Sequence, residues 1–191
     1  MADQTSDANL YLKAVALSLV RAGKFDAGIE VYNRYLASAP EDDEAWAGLG
    51  GAYRRKGDLD SAIASYEKAH QLNPRSTYAL VNVVSLRACR NSPEDMERNR
   101  GYVLEALRAI REIISKGQDD YWTWYDLATL QLIEGKTSEA IRSLNYAAER
   151  TPETAKENFR SVLSNLNFIK EHNSSIGGLD EAIEIINRHL T

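Results

Sequence analysis

Apolar residues recur along this chain at three- and four-residue steps, in short blocks separated by polar turns. Trp46, Leu49, Gly50 and Tyr53 form one such stripe, and Ala62, Ile63, Tyr66 and Ala69 form the next. That step is the period of one helix face packed on a core. Gly57 closes the first block, and Asp58 is placed to accept the free N–H groups that open the second. Asn73-Pro74 ends the second block, because the residue before a proline is pushed out of helix. The pattern therefore predicts helices over Asp43–Lys56 and Leu59–Leu72. Gly50 and Ala62 are expected to face each other between them, where a larger side chain would cost about 1–3 kcal/mol.

The same lettering returns at a spacing of 34 residues, as in Tyr32 and Tyr66, Pro40 and Pro74, Gly23 and Gly57. A further copy runs through Gly135, Ala140, Leu144 and Pro152. A fixed period of this length reads as stacked helix pairs, and hence as an all-α chain with an extended binding surface rather than a reaction centre.

Residues 43–76 closely resemble the tetratricopeptide repeat (TPR). Trp46, Leu49-Gly50, Tyr53, Gly57, Ala62, Tyr66, Ala69 and Pro74 stand where that family has its signature residues. The resemblance implies a right-handed superhelix, an α-solenoid of about five antiparallel helix pairs. It also implies a concave groove that holds a peptide or partner segment. Residues 9–42 look like a first repeat with a degraded leading helix, preceded by a disordered tail over 1–8. Residues 77–120 look like a third repeat carrying an insertion at 91–100. There Ser92, Pro93 and Asp95 read as a helix start with a capping box, so the second helix is expected to begin near Pro93 and run to Ser115. Residues 121–154 are again close to the pattern, and Trp124 follows Trp46 by two periods plus the inserted ten residues. Residues 155–191 look like a fifth, degenerate repeat. Its first helix runs through Ile169, and a loop covers 172–178.

Carried over from the family, the groove positions on the leading helices include Lys13, Arg54, Arg55, Tyr78, Val81, Trp122, Tyr125 and Phe159. The aromatic ones are efficient interface anchors, and they are equally able to serve as packing between helices. Arg54 and Arg55 would suit an acidic peptide or a terminal carboxylate. A chaperone-tail clamp is a poor fit, because only Lys13 matches it; Leu17, Gly48, Tyr78 and Asn82 occupy its other places. In the last helix Ile183, Ile186 and Leu190 form an apolar face. Either it folds back onto the preceding helices, or it is a self-association surface that gives a homodimer or meets a further segment of a larger protein.

Composition narrows the class. The net charge of −5 argues against an extended nucleic-acid surface. Arg87, Arg90, Arg98 and Arg100 are interrupted by Glu94, Asp95 and Glu97, and read as a solvated helix face. No apolar run reaches the roughly 20 residues a membrane helix needs, and no signal-peptide pattern opens the chain. The single cysteine, Cys89, excludes an internal disulfide framework and, with no leader, points to the cytoplasm. His70, His172 and His189 show no metal-ligand spacing with it. Asp119-Asp120 reads as a helix cap. No cofactor, metal or enzymatic chemistry is expected. The leading reading is a scaffold that binds a protein segment.

Overall fold

The computed structural model describes the backbone of residues 2–190 and the side chains of residues 11–190. Among the described residues the chain is all-α, with ten α-helices, one short 3-10 turn at Glu153–Ala155 and no strand. The helices are α1 (Ala2–Arg21), α2 (Phe25–Ser38), α3 (Asp43–Lys56), α4 (Leu59–Leu72) and α5 (Thr77–Arg90). They continue as α6 (Pro93–Ser115), α7 (Tyr121–Ile133), α8 (Thr137–Arg150), α9 (Glu157–His172) and α10 (Leu179–Leu190). The expected tail, 1–8, lies outside the residues whose side chains are described; the backbone of α1 begins at Ala2. The chain divides into two compact units, Met1–Val83 and Val84–Thr191, with the division inside α5.

In the first unit α1 pairs with α2, α3 pairs with α4, and α2 packs on α3. Helix boundaries here follow capping chemistry. The Asp42 carboxylate accepts the Ala45 N–H at the start of α3, and Asp58 accepts the Ser61 N–H at the start of α4. Gly57 closes α3 at φ 90°, a left-handed conformation that side chains resist. The core of this unit is built from Ala16, Val20, Ile29, Tyr32, Tyr35, Leu36, Ala45, Leu49 and Ala52, with Trp46 and Tyr53 half-buried against it. The Trp46 indole donates its N–H to the Pro40 carbonyl at 2.8 Å. The neighbour that requires a glycine at 50 is the Tyr66 ring, which would lie 2.8 Å from a Cβ placed there. The sequence pattern assigned that role to Ala62; the fully buried ring is the larger object and sets the spacing.

The second unit pairs α7 with α8 and α9 with α10, and α10 also packs on α8. Tyr125, Leu144, Phe159, Leu166, Ile169 and Ile186 are central to its core. Asp120 caps α7 through the Thr123 N–H. Trp124 donates its indole N–H to Asp119 at 2.7 Å and lies 4.2 Å from the Tyr146 ring. Ile186 is fully buried, and Ile183 and Leu190 are half-buried against the same core. Ile186 is thus folded inward, while Ile183 and Leu190 keep part of their surface exposed.

Helix α6 starts at Pro93 with Ser92 as its cap, two turns earlier than the repeat requires. Its first turns are anchored by charge, contrary to the solvated face expected from the sequence. Asp95 is 2% exposed and Arg87 is 2% exposed. Arg90 donates its Nε–H to Asp95 at 2.9 Å and makes a second contact with it through Nη2. The Ser92 hydroxyl donates to Asp95 at 2.7 Å, and Arg87 lies 3.9 Å from the carboxylate. Arg87 also stands over the Tyr102 ring, 4.6 Å from its centre. Arg98 and Arg100 do face solvent, in pairs with Glu94 and Glu97. The divergence arises because Asp95 turns back toward α5 across the tight 91–92 turn, a direction that spacing alone does not reveal.

Candidate functional site

An open cleft of about 470 Å³ lies in the first unit. Helix α1 contributes Lys13, Ala14 and Leu17, α2 contributes Tyr32, and α3 contributes Asp43, Glu44, Ala47 and Gly48. Ala69 of α4 and Ser76, Tyr78 and Ala79 complete it. Its floor is made of small residues. Gly48 is part of the reason the cleft is open, because a Cβ there would meet the Tyr32 hydroxyl at 2.5 Å. Two large apolar side chains stay exposed along it, Leu17 at 40% and Tyr78 at 54%. The Tyr78 ring stands edge-on to the buried Tyr66 ring, with centroids 6.0 Å apart.

One end of the cleft is charged. The Lys13 ammonium donates to both Asp42 carboxylate oxygens at 3.0 and 3.1 Å and to Glu44 at 2.7 Å. Tyr35 donates its hydroxyl proton to Asp42 at 2.6 Å. Burial works to raise the Asp42 carboxyl, but the hydrogen bonds from Tyr35, the Ala45 N–H and Lys13 outweigh it and hold that group below the usual range. Desolvation works to lower the Lys13 ammonium, but its contacts to Glu44 and Asp42 outweigh that and hold it above its usual value.

The lowered Asp42 pKa has a sign. The carboxylate stabilises the fold above its unfolded value of about 4, and that contribution is lost as the pH falls through the lower folded value. Asp42→Asn is therefore expected to lower stability at pH 7 and to flatten the loss of stability between about pH 4 and pH 2. Urea melts of both proteins across that range measure it; parallel acid limbs would contradict the assignment.

The site residues expected from the sequence are distributed unevenly. Lys13 and Tyr78 both line the cleft, together with Leu17, Glu44 and Ala47. Arg54 is half-buried and Arg55 exposed, and neither lines the cleft. Val81, Tyr125 and Phe159 are buried and fill the interior, so as placed they present no face to a ligand. Burial, opposed by a hydrogen bond with Thr151, raises the Tyr125 phenol to about 12. Trp122 is 37% exposed and rests edge-on against Tyr125 at 5.8 Å. Tyr125 stands edge-on to Phe159 at 6.3 Å, which makes this aromatic row a packing column. Tyr32 and Ala69 line the cleft from second helices, and the family's first-helix scheme omits them.

A second cleft, of about 670 Å³, lies in the other unit. Both departures from the repeat period border it: Asn91, Met96 and Asn99 from the first, and Asn173, Ser175 and Ile176 from the second. They are tied together where Asn173 donates its side-chain amide to the Ala88 carbonyl at 2.8 Å. Among the described residues no group of three or more His, Cys, Asp and Glu is gathered as metal ligands. No described helix is long and apolar enough to cross a membrane.

Residues 14–77 match the tetratricopeptide repeat. The chain is also 26% identical over 152 residues to Superkiller protein 3 of Schizosaccharomyces pombe, a match covering 76% of this chain and 10% of that protein. Superkiller complex protein 3 of Mus musculus is 32% identical over 119 residues, 62% of this chain and 7% of that protein. The chain thus spans a tenth or less of the length of these curated relatives. A solved thermophilic TPR protein of Thermus thermophilus superposes with a TM-score of 0.63 at 21% identity, over 95% of this chain and 90% of that one. At that identity the likeness is one of fold. This chain shares the helical-repeat fold of TPR proteins, and neither its fold nor the matched repeat carries an enzymatic signature.

Proposed function

We propose that this chain is a protein-interaction module that takes a segment of a partner protein in the cleft of its first unit. The observation that carries this reading is the cleft itself: Leu17 and Tyr78 stay exposed beside a floor of Ala14, Ala47 and Gly48. A rigid exposed ring next to a small-residue floor is a pocket for an apolar side chain, and anchors of this kind carry most of the energy in protein interfaces. The match to the tetratricopeptide repeat across 14–77 covers the helices α2, α3 and α4, which supply half of the residues lining the cleft. The match to proteins named for a superkiller complex supports assembly with other proteins as the class of activity.

Site-specific photocrosslinking tests the reading. A photoreactive amino acid at position 47 is expected to capture a partner chain in the native host extract, and the captured peptide is expected to be one contiguous segment. Filling the cleft in a separate variant, Ala47→Trp, is expected to abolish co-purification of that same partner while the helical circular-dichroism signal is retained. A partner that survives Ala47→Trp unchanged would move the interface off this cleft.

A further inference from the structure

We infer that the segment received by the first-unit cleft is apolar with a basic residue beside it, not the acidic segment or terminal carboxylate that Arg54 and Arg55 suggest in the sequence. The inference deepens the reading just given and rests on it. Among the described residues lining the cleft, Lys13 is the one cation, beside Asp43 and Glu44. Its ammonium is already saturated by the carboxylates of Asp42 and Glu44, at 3.0 and 2.7 Å. An incoming carboxylate would have to displace those contacts and would meet Asp43 and Glu44 as like charges. An incoming ammonium or guanidinium meets the opposite situation. The Glu44 side chain is 78% exposed and reachable. Asp43 accepts one hydrogen bond, from the Asn73 amide at 2.9 Å, which leaves acceptor capacity on its carboxylate. Two carboxylates, Asp43 and Glu44, therefore line this end of the cleft against one ammonium, which Asp42 also binds.

The apolar part of the ligand is set by the other lining groups. Leu17, Ala47 and Gly48 accept an aliphatic or aromatic side chain, and they supply no buried hydrogen-bonding demand. Opposite charge at the rim of such a pocket governs choice of partner and rate of encounter more than total affinity. The expected signature is accordingly a preference between ligands that weakens in salt.

The test uses three synthetic peptide pools with one fixed Leu or Phe and randomised neutral flanks, in which the neighbouring position is Arg, Ala or Glu. Fluorescence anisotropy with the full chain is expected to rank them Arg, Ala, Glu, with the Arg pool about two- to fivefold tighter than the Ala pool at low salt. That ratio should collapse toward one in 1 M salt, where screening acts within about 3 Å. It should also collapse in the Asp43→Asn, Glu44→Gln double variant, whose thermal melt is recorded in parallel to show that it is folded. Equal binding of the three pools, a preference for Glu, absence of binding by all pools, or a preference for Arg that persists in the double variant overturns the inference. Ala47→Trp separates the two claims. Pools that bind without charge preference yet are excluded by Ala47→Trp leave the cleft standing as an interface and remove only the basic class. Binding indifferent to Ala47→Trp removes both.

Discussion

Asp95→Ala is expected to destabilise the second unit by about 3–5 kcal/mol, the cost of leaving buried positive charge without its counter-ion. The carboxylate is 2% exposed, as is Arg87, and Arg90 closes over it from the end of α5. Burial works to raise the Asp95 carboxyl, but the hydrogen bonds from Arg90 and Ser92 and the charges of Arg90 and Arg87 outweigh it and hold the group below its usual range. Removing the acid leaves the desolvated Arg87 guanidinium without this counter-ion, whereas removing both signs together does not. An Arg87→Met, Asp95→Leu double variant is therefore expected to recover most of the loss. Trp122 and Trp124 lie in the second unit and Trp46 in the first, so Trp46→Phe makes the tryptophan fluorescence of a urea melt report on the second unit alone. A loss below about 1 kcal/mol for Asp95→Ala would mean that the early turns of α6 are held by apolar contacts and not by this cluster.

The local grammar of this chain is legible because it is short-ranged. The bounds of α3 and α4 follow from Asp58, Gly57 and Asn73-Pro74, and the early start of α6 follows from Ser92-Pro93, since each signal acts within one helical turn of the residue that carries it. Depth was not legible. Tyr125 and Phe159 sit at positions the family pattern turns toward the groove, yet they are 3% and 2% exposed, because how closely adjacent hairpins approach decides whether such a side chain meets solvent or its neighbour. Partners distant in sequence were equally hidden. Lys13 is neutralised by residues on α3 and at its cap, and nothing near Lys13 in the sequence announces it. The cleft was thus half visible: its first-helix wall could be read from the repeat, while Tyr32 and Ala69 enter from second helices that the pattern treats as packing.

Tyr66→Ala carries the other large expected loss, about 3–5 kcal/mol, as for any fully buried large aromatic truncated without relief. The ring is completely buried and lies against the helix backbone where Gly50 provides room, 2.8 Å from the place a Cβ would occupy. Gly50→Val alone forces that ring to move and is expected to cost about 1–3 kcal/mol. The two losses share one volume, so they should not add. With the ring gone, the valine methyls enter the space it vacated, and the double variant is expected to be more stable than the sum of the singles by about 1 kcal/mol or more. Tyr66→Phe keeps the ring and should stay close to the parent, which separates loss of packing from loss of the hydroxyl. Because the Tyr78 ring stands edge-on to Tyr66 and also borders the cleft, Tyr66→Ala should weaken peptide binding in the fraction that remains folded, and Tyr66→Phe should not. A double-mutant cycle from urea melts, read beside peptide anisotropy, decides the matter. Strictly additive stabilities would show that the glycine and the ring do not share that space, and unchanged binding in Tyr66→Ala would uncouple the buried aromatic from the surface it is argued to support.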